Sequence, residues 1–307
     1  MTDLLRTDLR HALRWLAKSP GFTLVAVASL AVGIGFNTAL FAIADAILFR
    51  PLPVVQPDRL VDVFTSGSGG AAAEPFSTSS YPDYLDLRAK NDVFQDVIGY
   101  SPMFGPLNLG DRSRLVLGEI VTGNYFGTLG VGAALGRTIV PDDDRPDAPR
   151  VAMVSYRSWV RDFGSSREAI GRTLKIRGEI YTIVGIAPRG FTGMTPVLSP
   201  EIWVPVAASL TVEPVGLHDV VPSPDGATRL ARRGDRWLFM RGRLAPERTV
   251  AQAGANLELL MSQLDAAYPA TNKDRRIAVK ATNDVHLHPA ADREVVPIAA
   301  VLMIIVG

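Results

Sequence analysis

Few residues of this sequence have the types and spacing that covalent chemistry requires. The 307 residues include no cysteine, which excludes thiolate catalysis, disulfides and cysteine-ligated metal sites. They also lack a Gly-x-Ser-x-Gly turn for a serine nucleophile and a His-Glu-x-x-His helix for catalytic zinc. A Gly-x-x-x-x-Gly-Lys-Ser/Thr loop for ATP phosphates is missing too. The sequence therefore predicts a protein that is not an enzyme and has no cofactor.

Two groups of side chains have a spacing that occurs in metal sites. His286 and His288 could supply two ligands from one short segment, although no third ligand is evident; the alternative is polar surface near a membrane. The aspartates at 142–144 and Asp147 resemble part of a calcium loop, but the mid-loop glycine and the closing glutamate are missing. The prolines around them favour a solvated turn.

Large aromatic side chains in the middle of the chain could line an apolar cleft for a ligand. They are Trp159, Phe191, Trp203 and Trp237. Aromatic residues of mixed helix and strand domains more often fill the core, so the pattern allows both a cleft and a core.

The longest apolar run, residues 22–48, indicates a membrane-spanning helix. Hydrophobic residues make up 47% of the chain, and a net charge of +1 without charged blocks gives no indication of nucleic-acid binding. The run exceeds the roughly 7–15 apolar residues of a signal peptide and can cross a hydrocarbon core of about 30 Å. We therefore predict a first transmembrane helix at residues 21–49; a cleaved signal peptide and a buried core helix are the alternatives.

Small and polar residues recur every four positions within this predicted span. Ser29, Gly33 and Asn37 therefore share one helix face. Small side chains let membrane helices approach closely, and an asparagine in the membrane seeks a polar partner. The spacing predicts a packing face, although small residues are also common in membrane helices in general.

Residues 1–20 are predicted to form an amphipathic helix on the cytoplasmic side. Its basic face is formed by Arg6, Arg10, Arg14 and Lys18, which recur every four residues. Because these cations precede the span, the positive-inside rule places the N-terminus in the cytoplasm. The basic face could contact a cytoplasmic ATPase, or it could serve only as a membrane anchor.

The region that follows has the short strands, helices and turns of an α+β fold. A helix capped by Ser155 is expected to end at Gly164. Thr249 and Gln252 form a predicted capping box at the start of a helix with a clear apolar stripe. Strands on both sides of Gly178 predict a hairpin.

These elements predict a two-lobed extracytoplasmic domain. Strand–helix–strand units near both ends would form one α+β lobe from residues 50–135 and 236–293. A β-rich lobe would be inserted between them at residues 136–235. The apolar residues 295–307 are predicted to begin a second transmembrane helix.

Several long stretches together carry a family resemblance, in the order typical of that family. They are DLRHALRWLAKSPGFTLVAVASLAVGIGFNTALFAIADAILFRPLP, VTGNYFGTLGVGAALGRTIVPDDD, VAMVSYRSWVRDFG, IGRTLKIRGEIYTIVGIAPRGF, IWVPV and RGRLAPERTVAQAGANLELL. The chain resembles the permease subunits of MacB-type (FtsX-like) ABC transporters, and more narrowly the orphan permeases of the Acidobacterial type. The resemblance implies a two-lobed periplasmic core domain and a dimeric permease driven by a separate cytoplasmic ABC ATPase.

The expected function is therefore that of a permease subunit in the bacterial inner membrane. It would embed in the lipid bilayer, form a homodimer when full length and hold its main domain on the periplasmic side. No cargo is predicted, because drugs, lipoproteins and peptides are equally compatible with these residues. The alternative is a membrane-anchored extracytoplasmic sensor or binding module without a transport role.

Overall fold

The chain forms two units, one made of Met1–Arg50 with Arg293–Gly307 and the other of Pro51–Asp292. The computed structural model describes residues 18–48, 52–67, 74–110, 112–194, 199–216, 218–220 and 228–306.

The smaller unit contains the predicted membrane-spanning helix. Helix α1 runs from Pro20 to Leu48, and its part Pro20–Ala39 has a mean hydropathy of 1.7 with no buried side chain. By length and composition α1 can cross a membrane. The residues predicted to begin a second span lie in a helix, Pro289–Val306. Among the described residues, only α1 is long and apolar enough to cross a membrane. The second span therefore stays a prediction.

The larger unit combines strands and helices, as the sequence predicts. Its strands are β1 (Leu60–Thr65), β2 (Ser79–Ser80), β3 (Phe94–Leu109), β4 (Arg112–Val121), β5 (Leu135–Gly136), β6 (Val151–Val154), β7 (Thr173–Ile176), β8 (Glu179–Ile186), β9 (Ile202–Pro205), β10 (Asp219–Val220), β11 (Asp235–Leu244) and β12 (Ile277–Ala281). Its helices are α2 (Tyr81–Lys90), α3 (Tyr125–Leu129), α4 (Tyr156–Phe163), α5 (Val250–Ala267) and α6 (Pro269–Asn272).

Both ends of the larger unit contribute to one antiparallel layer, with the strand order β12-β1-β11-β3. The chain passes from β1 through α2 to β3, and from β11 through α5 to β12. β1 and β3 are therefore parallel, with β11 between them, and β11 and β12 are parallel, with β1 between them. This is the split β-α-β arrangement. The strand–helix–strand units predicted near both ends are therefore present.

Helix α5 forms as its sequence predicts. The Thr249 hydroxyl accepts a hydrogen bond from the Gln252 backbone N–H, and the Gln252 side chain accepts one from the Thr249 N–H. This capping box satisfies two backbone donors that a helix start leaves unpaired. The apolar stripe of the helix is buried, and its members are Ala253, Leu257, Leu260, Met261 and Leu264.

Six strands of the larger unit close into a ring. Pairing runs from β3 through β4, β9, β6, β8 and β7 and returns to β3. Alternate positions of β7 and all positions of β6 and β9 are buried, and the ring encloses a core of apolar side chains. Gly118 is needed for this packing, because a Cβ there would lie 2.8 Å from Cγ1 of Ile202.

Two predictions based on neighbouring residues, the helix that ends at Gly164 and the hairpin at Gly178, are also confirmed. Ser155 caps α4 by accepting from the Ser158 N–H, and Gly164 ends the helix in the left-handed conformation. Arg177 and Gly178 both have positive φ in the hairpin between β7 and β8, which is typical of a type I′ turn. The division into lobes at residues 136–235 stays a prediction; β7 and β9 of this segment pair with β3 and β4.

The aspartate-rich turn is only partly the solvated turn that the sequence favours, since Asp142 and Asp147 are exposed. Pro141–Asp144 form a single 3-10 turn in which Asp143 is buried. Both carboxylate oxygens of Asp143 accept hydrogen bonds from the Arg137 guanidinium, at 2.7 and 2.9 Å. Asp144 Oδ2 accepts from the Gly123 backbone N–H at 2.8 Å. The turn is therefore fixed to the protein by two of its carboxylates.

Burial raises the pKa of Asp144 to about 7, because lost hydration outweighs the backbone hydrogen bonds from Gly123 and Val206. The folded chain therefore holds this proton at pH values where the unfolded chain has released it. Stability is highest while Asp144 is protonated and falls as the pH rises from its ordinary pKa towards about 7.

We expect the Asp144→Asn variant to lose this pH dependence. Between pH 5 and 8 the unfolding free energy of the wild type should fall by roughly 3 kcal/mol relative to the variant. Urea denaturation of the purified chain at each pH measures the difference. Asp142→Asn, which changes an exposed neighbour, is the matched control and should follow the wild type. Equal slopes for the wild type and Asp144→Asn would contradict the prediction.

Candidate functional site

The site residues predicted in the smaller unit lie on α1 or outside the described residues. Ser29, Gly33 and Asn37 are exposed on α1, four residues apart. Their role as a packing face stays a prediction. Lys18 is exposed. The other members of the predicted basic face, Arg6, Arg10 and Arg14, lie outside the described residues.

Three of the four aromatic residues that could have lined a cleft are buried in the core. Phe191 and Trp203 pack together with their ring centroids 5.4 Å apart, and Trp237 is buried in a second cluster. Trp159 is half-buried and donates from its indole N–H to the Ser166 carbonyl oxygen at 2.8 Å. The possibility of an aromatic core is therefore correct for Phe191, Trp203 and Trp237, and Phe191 in addition lines a cleft.

The two histidines contact different residues. The Nε2 atom of His288 lies 2.7 Å from the Phe76 carbonyl oxygen, and its ring meets Phe64 edge-on. The His286 backbone N–H donates to the Asp292 carboxylate at 2.8 Å. Within the part of the chain that the structure describes, no group of three or more possible ligand side chains could hold a metal ion.

The segment by which the chain enters the larger unit, residues 52–59, is the entry segment. Arg243 on β11 donates to the carbonyl oxygens of Val55 at 2.6 Å and Gln56 at 3.1 Å. Its Nε donates to the Thr128 carbonyl oxygen of α3 at 2.7 Å. Arg59 in turn donates from Nε to the Leu244 carbonyl oxygen at 3.0 Å. Two arginines therefore fix the entry segment to β11 and α3.

Arg243 makes these bonds without a carboxylate partner in the described structure. Burial and the neighbouring Arg59 both lower the pKa of Arg243. A guanidinium carries five donors in a fixed geometry, so several carbonyl oxygens can be bound at once. A lysine at this position would have a single ammonium group and could not reach the same three oxygens.

Helix α3, in the stretch GNYFGTLG, completes this anchoring. The Val55 N–H donates to the Leu129 carbonyl oxygen at 3.1 Å. Gly130 ends the helix with φ +71°, and a Cβ there would come within 2.7 Å of the Val55 side chain. Thr128 donates from its hydroxyl to Asp96 on β3 at 3.0 Å. The entry segment is thus linked through α3 to a second strand.

The segment by which the chain leaves the larger unit, residues 282–288, is the exit segment, and it lies beside the entry segment. β12 pairs with β1, so the last strand is the direct neighbour of the first. Beyond these strands Asn283 donates from Nδ2 to Asp58 Oδ1 at 2.8 Å. Both covalent connections of the larger unit therefore lie at one place in the fold.

Buried ion pairs tie the strands behind the entry segment together. Arg241 on β11 donates to Asp62 on β1 at 2.6 Å, and both side chains are buried. Asp83 on α2 is paired with Arg233 at 2.7 Å and Arg236 at 3.3 Å. Removing one partner of such a pair leaves an uncompensated buried charge, which is strongly destabilising.

Sequence reasoning did not identify Arg243, Arg59 or Asp62. One usable signal was present, since Arg241 and Arg243 alternate with apolar residues inside a strand. Cations at such positions are either exposed on one sheet face or paired inside the protein. Here β11 is a central strand with both faces covered, so the cations are paired inside.

Comparison with known proteins identifies a matching family and solved structures with a similar fold. Residues 23–260 match the family described as the MacB-like periplasmic core domain. The periplasmic region of MacB from Actinobacillus actinomycetemcomitans is 14% identical over 74% of this chain and 90% of that chain, with a TM-score of 0.50. A permease-protein domain from Porphyromonas gingivalis is 14% identical over 77% and 95%, with a TM-score of 0.53. No curated protein sequence matches the chain.

The similarity to these solved structures concerns the fold alone, but the family match spans more than half of the chain. The apolar helix α1 precedes most of the matched region, as expected for a membrane protein with an extracytoplasmic domain. The resemblance found in the sequence is confirmed. The chain belongs to the family of the MacB-like periplasmic core domain and is a homologue of MacB-like ABC transporter permeases.

Proposed function

We propose that the chain is a permease subunit that couples ATP hydrolysis by a separate cytoplasmic ATPase to motion of its extracytoplasmic domain. It resides in the bacterial inner membrane with its N-terminus in the cytoplasm, consistent with the basic residues that precede α1. This motion either exports a cargo or transmits force to a partner protein.

The observation that carries the proposal is the adjacency of the entry and exit segments. Asn283 and Asp58 join them directly, and β12 pairs with β1 immediately behind them. A displacement of the membrane helices therefore pulls on one place of the domain instead of two distant ones.

The anchoring of the entry segment suits it for transmission. A flexible linker would absorb a displacement of α1, since its backbone has many conformations of similar energy. Arg243 and Arg59 instead hold the backbone of this segment against β11. From β11 the displacement passes to β1 through the Arg241–Asp62 pair.

The membrane part of the mechanism uses the residues predicted from the sequence. Ser29, Gly33 and Asn37 form the face by which α1 packs against a neighbouring helix, either of the same subunit or of the second copy in a homodimer. Arg6, Arg10, Arg14 and Lys18 contact the ATPase on the cytoplasmic side.

We expect the full-length protein in lipid to stimulate a cytoplasmic ATPase that co-purifies with it. Arg6/Arg10/Arg14→Glu should reduce the stimulation at least about tenfold, because like charges then oppose the contact. ATP hydrolysis in nanodiscs measures the effect.

The matched control is Arg167/Arg248/Arg276→Glu, which reverses three exposed arginines of the larger unit. It should leave the stimulation unchanged. If no ATPase binds or responds, the coupling is refuted, and a tethered sensor or binding module becomes the better description.

Arg243→Lys tests the transmission step. The chain has no cysteine, so Val160→Cys and Leu259→Cys, both at exposed positions, can carry specific spin labels. In the full-length protein with its ATPase, ATP should shift the distance between the labels. Arg243→Lys should reduce that shift by at least about half while hydrolysis continues, because the lysine loses several of the carbonyl contacts.

Arg248→Lys is the control for this experiment, since Arg248 is exposed and bonds to no described residue through its side chain. It should behave as the wild type. An undiminished shift in Arg243→Lys would show that the entry segment does not transmit the motion.

A further inference from the structure

A cleft lies at the carboxyl ends of two neighbouring parallel strands. β6 and β8 pair in parallel, and β9 pairs with the other side of β6 in the antiparallel direction. The ends of β6 and β8 and the beginning of β9 therefore meet at one edge. The cleft measures about 330 Å³, which is at the lower end of small-molecule sites.

One cation of the cleft is positioned by the beginning of α4. β6 ends at Val154, Ser155 caps the helix, and Arg157 follows in the first turn. Arg157 lines the cleft and is exposed. The helix dipole, whose positive end lies here, adds to the attraction that this side chain exerts on an anion.

The second cation is positioned by a tight turn after β8. The Phe191 N–H donates to the Pro188 carbonyl oxygen at 3.1 Å, and Gly190 has φ +89°. These are the features of a type II turn, in which Arg189 occupies the first corner. Arg189 therefore projects at the same edge as Arg157, and both line the cleft.

The carboxylates near the cleft are already neutralised by other arginines. Glu201, which also lines the cleft, is paired with Arg114 and Arg161 at 2.5 Å each. Asp162 is paired with the same two arginines. Burial alone would raise the pKa of Glu201, but hydrogen bonds from these arginines lower it, so both carboxylates stay ionised and compensated.

Arg157 and Arg189 are the cations that remain. Neither forms a hydrogen bond or an ion pair with any residue that the structure describes, whereas Arg114 and Arg161 balance the two carboxylates. Residues 195–198, which fall between residues of the lining, are Thr-Pro-Val-Leu and include no acid. Among the residues that the structure describes, neither guanidinium therefore has an anionic partner.

The remaining lining combines aromatic and hydroxyl groups. Phe191 is buried at the cleft and Tyr156 is half-buried, which offers apolar surface for the body of a ligand. Thr192 and Ser199 are exposed and can donate or accept hydrogen bonds.

We propose that this cleft is a binding site for a small organic carboxylate, with Arg157 and Arg189 holding the carboxylate and Tyr156 and Phe191 contacting its apolar part. Guanidinium groups match the planar carboxylate in two-point hydrogen bonds. Both a free organic acid and the C-terminus of a short peptide offer this chemistry. The site is independent of the proposed coupling to an ATPase, so each can fail without the other.

Calorimetry of the 307-residue chain in nanodiscs tests the site with hippurate as the probe. Hippuramide has the same shape without the charge and should bind at least about tenfold more weakly, since contacts to charged groups are the stronger ones. Glycyl-phenylalanine and its C-terminal amide test whether the cleft binds the C-terminus of a peptide. If it does, the dipeptide binds as tightly as hippurate and the amide binds more weakly. Hippurate binding should also weaken in high salt.

The Arg157→Gln/Arg189→Gln variant should lose hippurate binding with an unchanged melting temperature, because neither side chain has a partner in the described fold. Arg167→Gln, which removes an exposed arginine outside the cleft, is the matched control and should bind normally. The proposal is overturned if hippurate does not bind, if hippuramide binds equally well, or if the double variant retains affinity. Inorganic phosphate binding as tightly as hippurate would overturn it too, since the cleft would then accept anions in general.

Discussion

A guanidinium buried in a central strand must find acceptors for its donors inside the protein, and the organisation of the larger unit depends on how β11 meets this constraint. Arg236 reaches α2 and α6, where Asp83 and the Thr271 carbonyl oxygen accept from it. Arg241 reaches Asp62 on β1 and the Met194 carbonyl oxygen. Arg243 reaches the entry segment and α3. One strand thereby connects α2 and α6, β1, and the entry segment with α3.

This arrangement has a mechanical consequence. Hydrogen bonds to a charged donor are stronger than those between neutral groups, and leaving such a donor unpaired in the interior is costly. The entry segment therefore cannot move away from β11 without breaking several contacts at once. Because β12 pairs with β1, the exit segment follows the same strand layer.

Features that depend on a few neighbouring residues could be predicted from the sequence. The capping box at Thr249 and the helix end at Gly164 are examples, since their partners lie within one helical turn. The partners of the buried arginines could not be predicted. Arg241 and Asp62 are separated by 179 residues, and only the strand order brings them together. The hydrogen bond of Asp144 in the aspartate turn could not be predicted for the same reason. Its donor, the backbone N–H of Gly123, lies 21 residues earlier in the chain.

The two functional regions of the larger unit differ in how their cations are satisfied, and this difference separates their roles. At the entry segment Arg243 donates to backbone carbonyl oxygens, and Arg59 donates to the Leu244 carbonyl oxygen and to the side chains of Gln56 and Gln95, so these arginines serve as connections. At the ends of β6 and β8 the carboxylates are compensated by other arginines, and Arg157 and Arg189 keep their donors for a molecule from outside. The cleft and the entry segment use different strands, because β6 and β8 belong to the ring and β11 to the antiparallel layer. A ligand in the cleft would nevertheless reach the entry segment through Phe191, which packs with Phe126 of α3 in the apolar cluster that Leu52 and Val54 also contact.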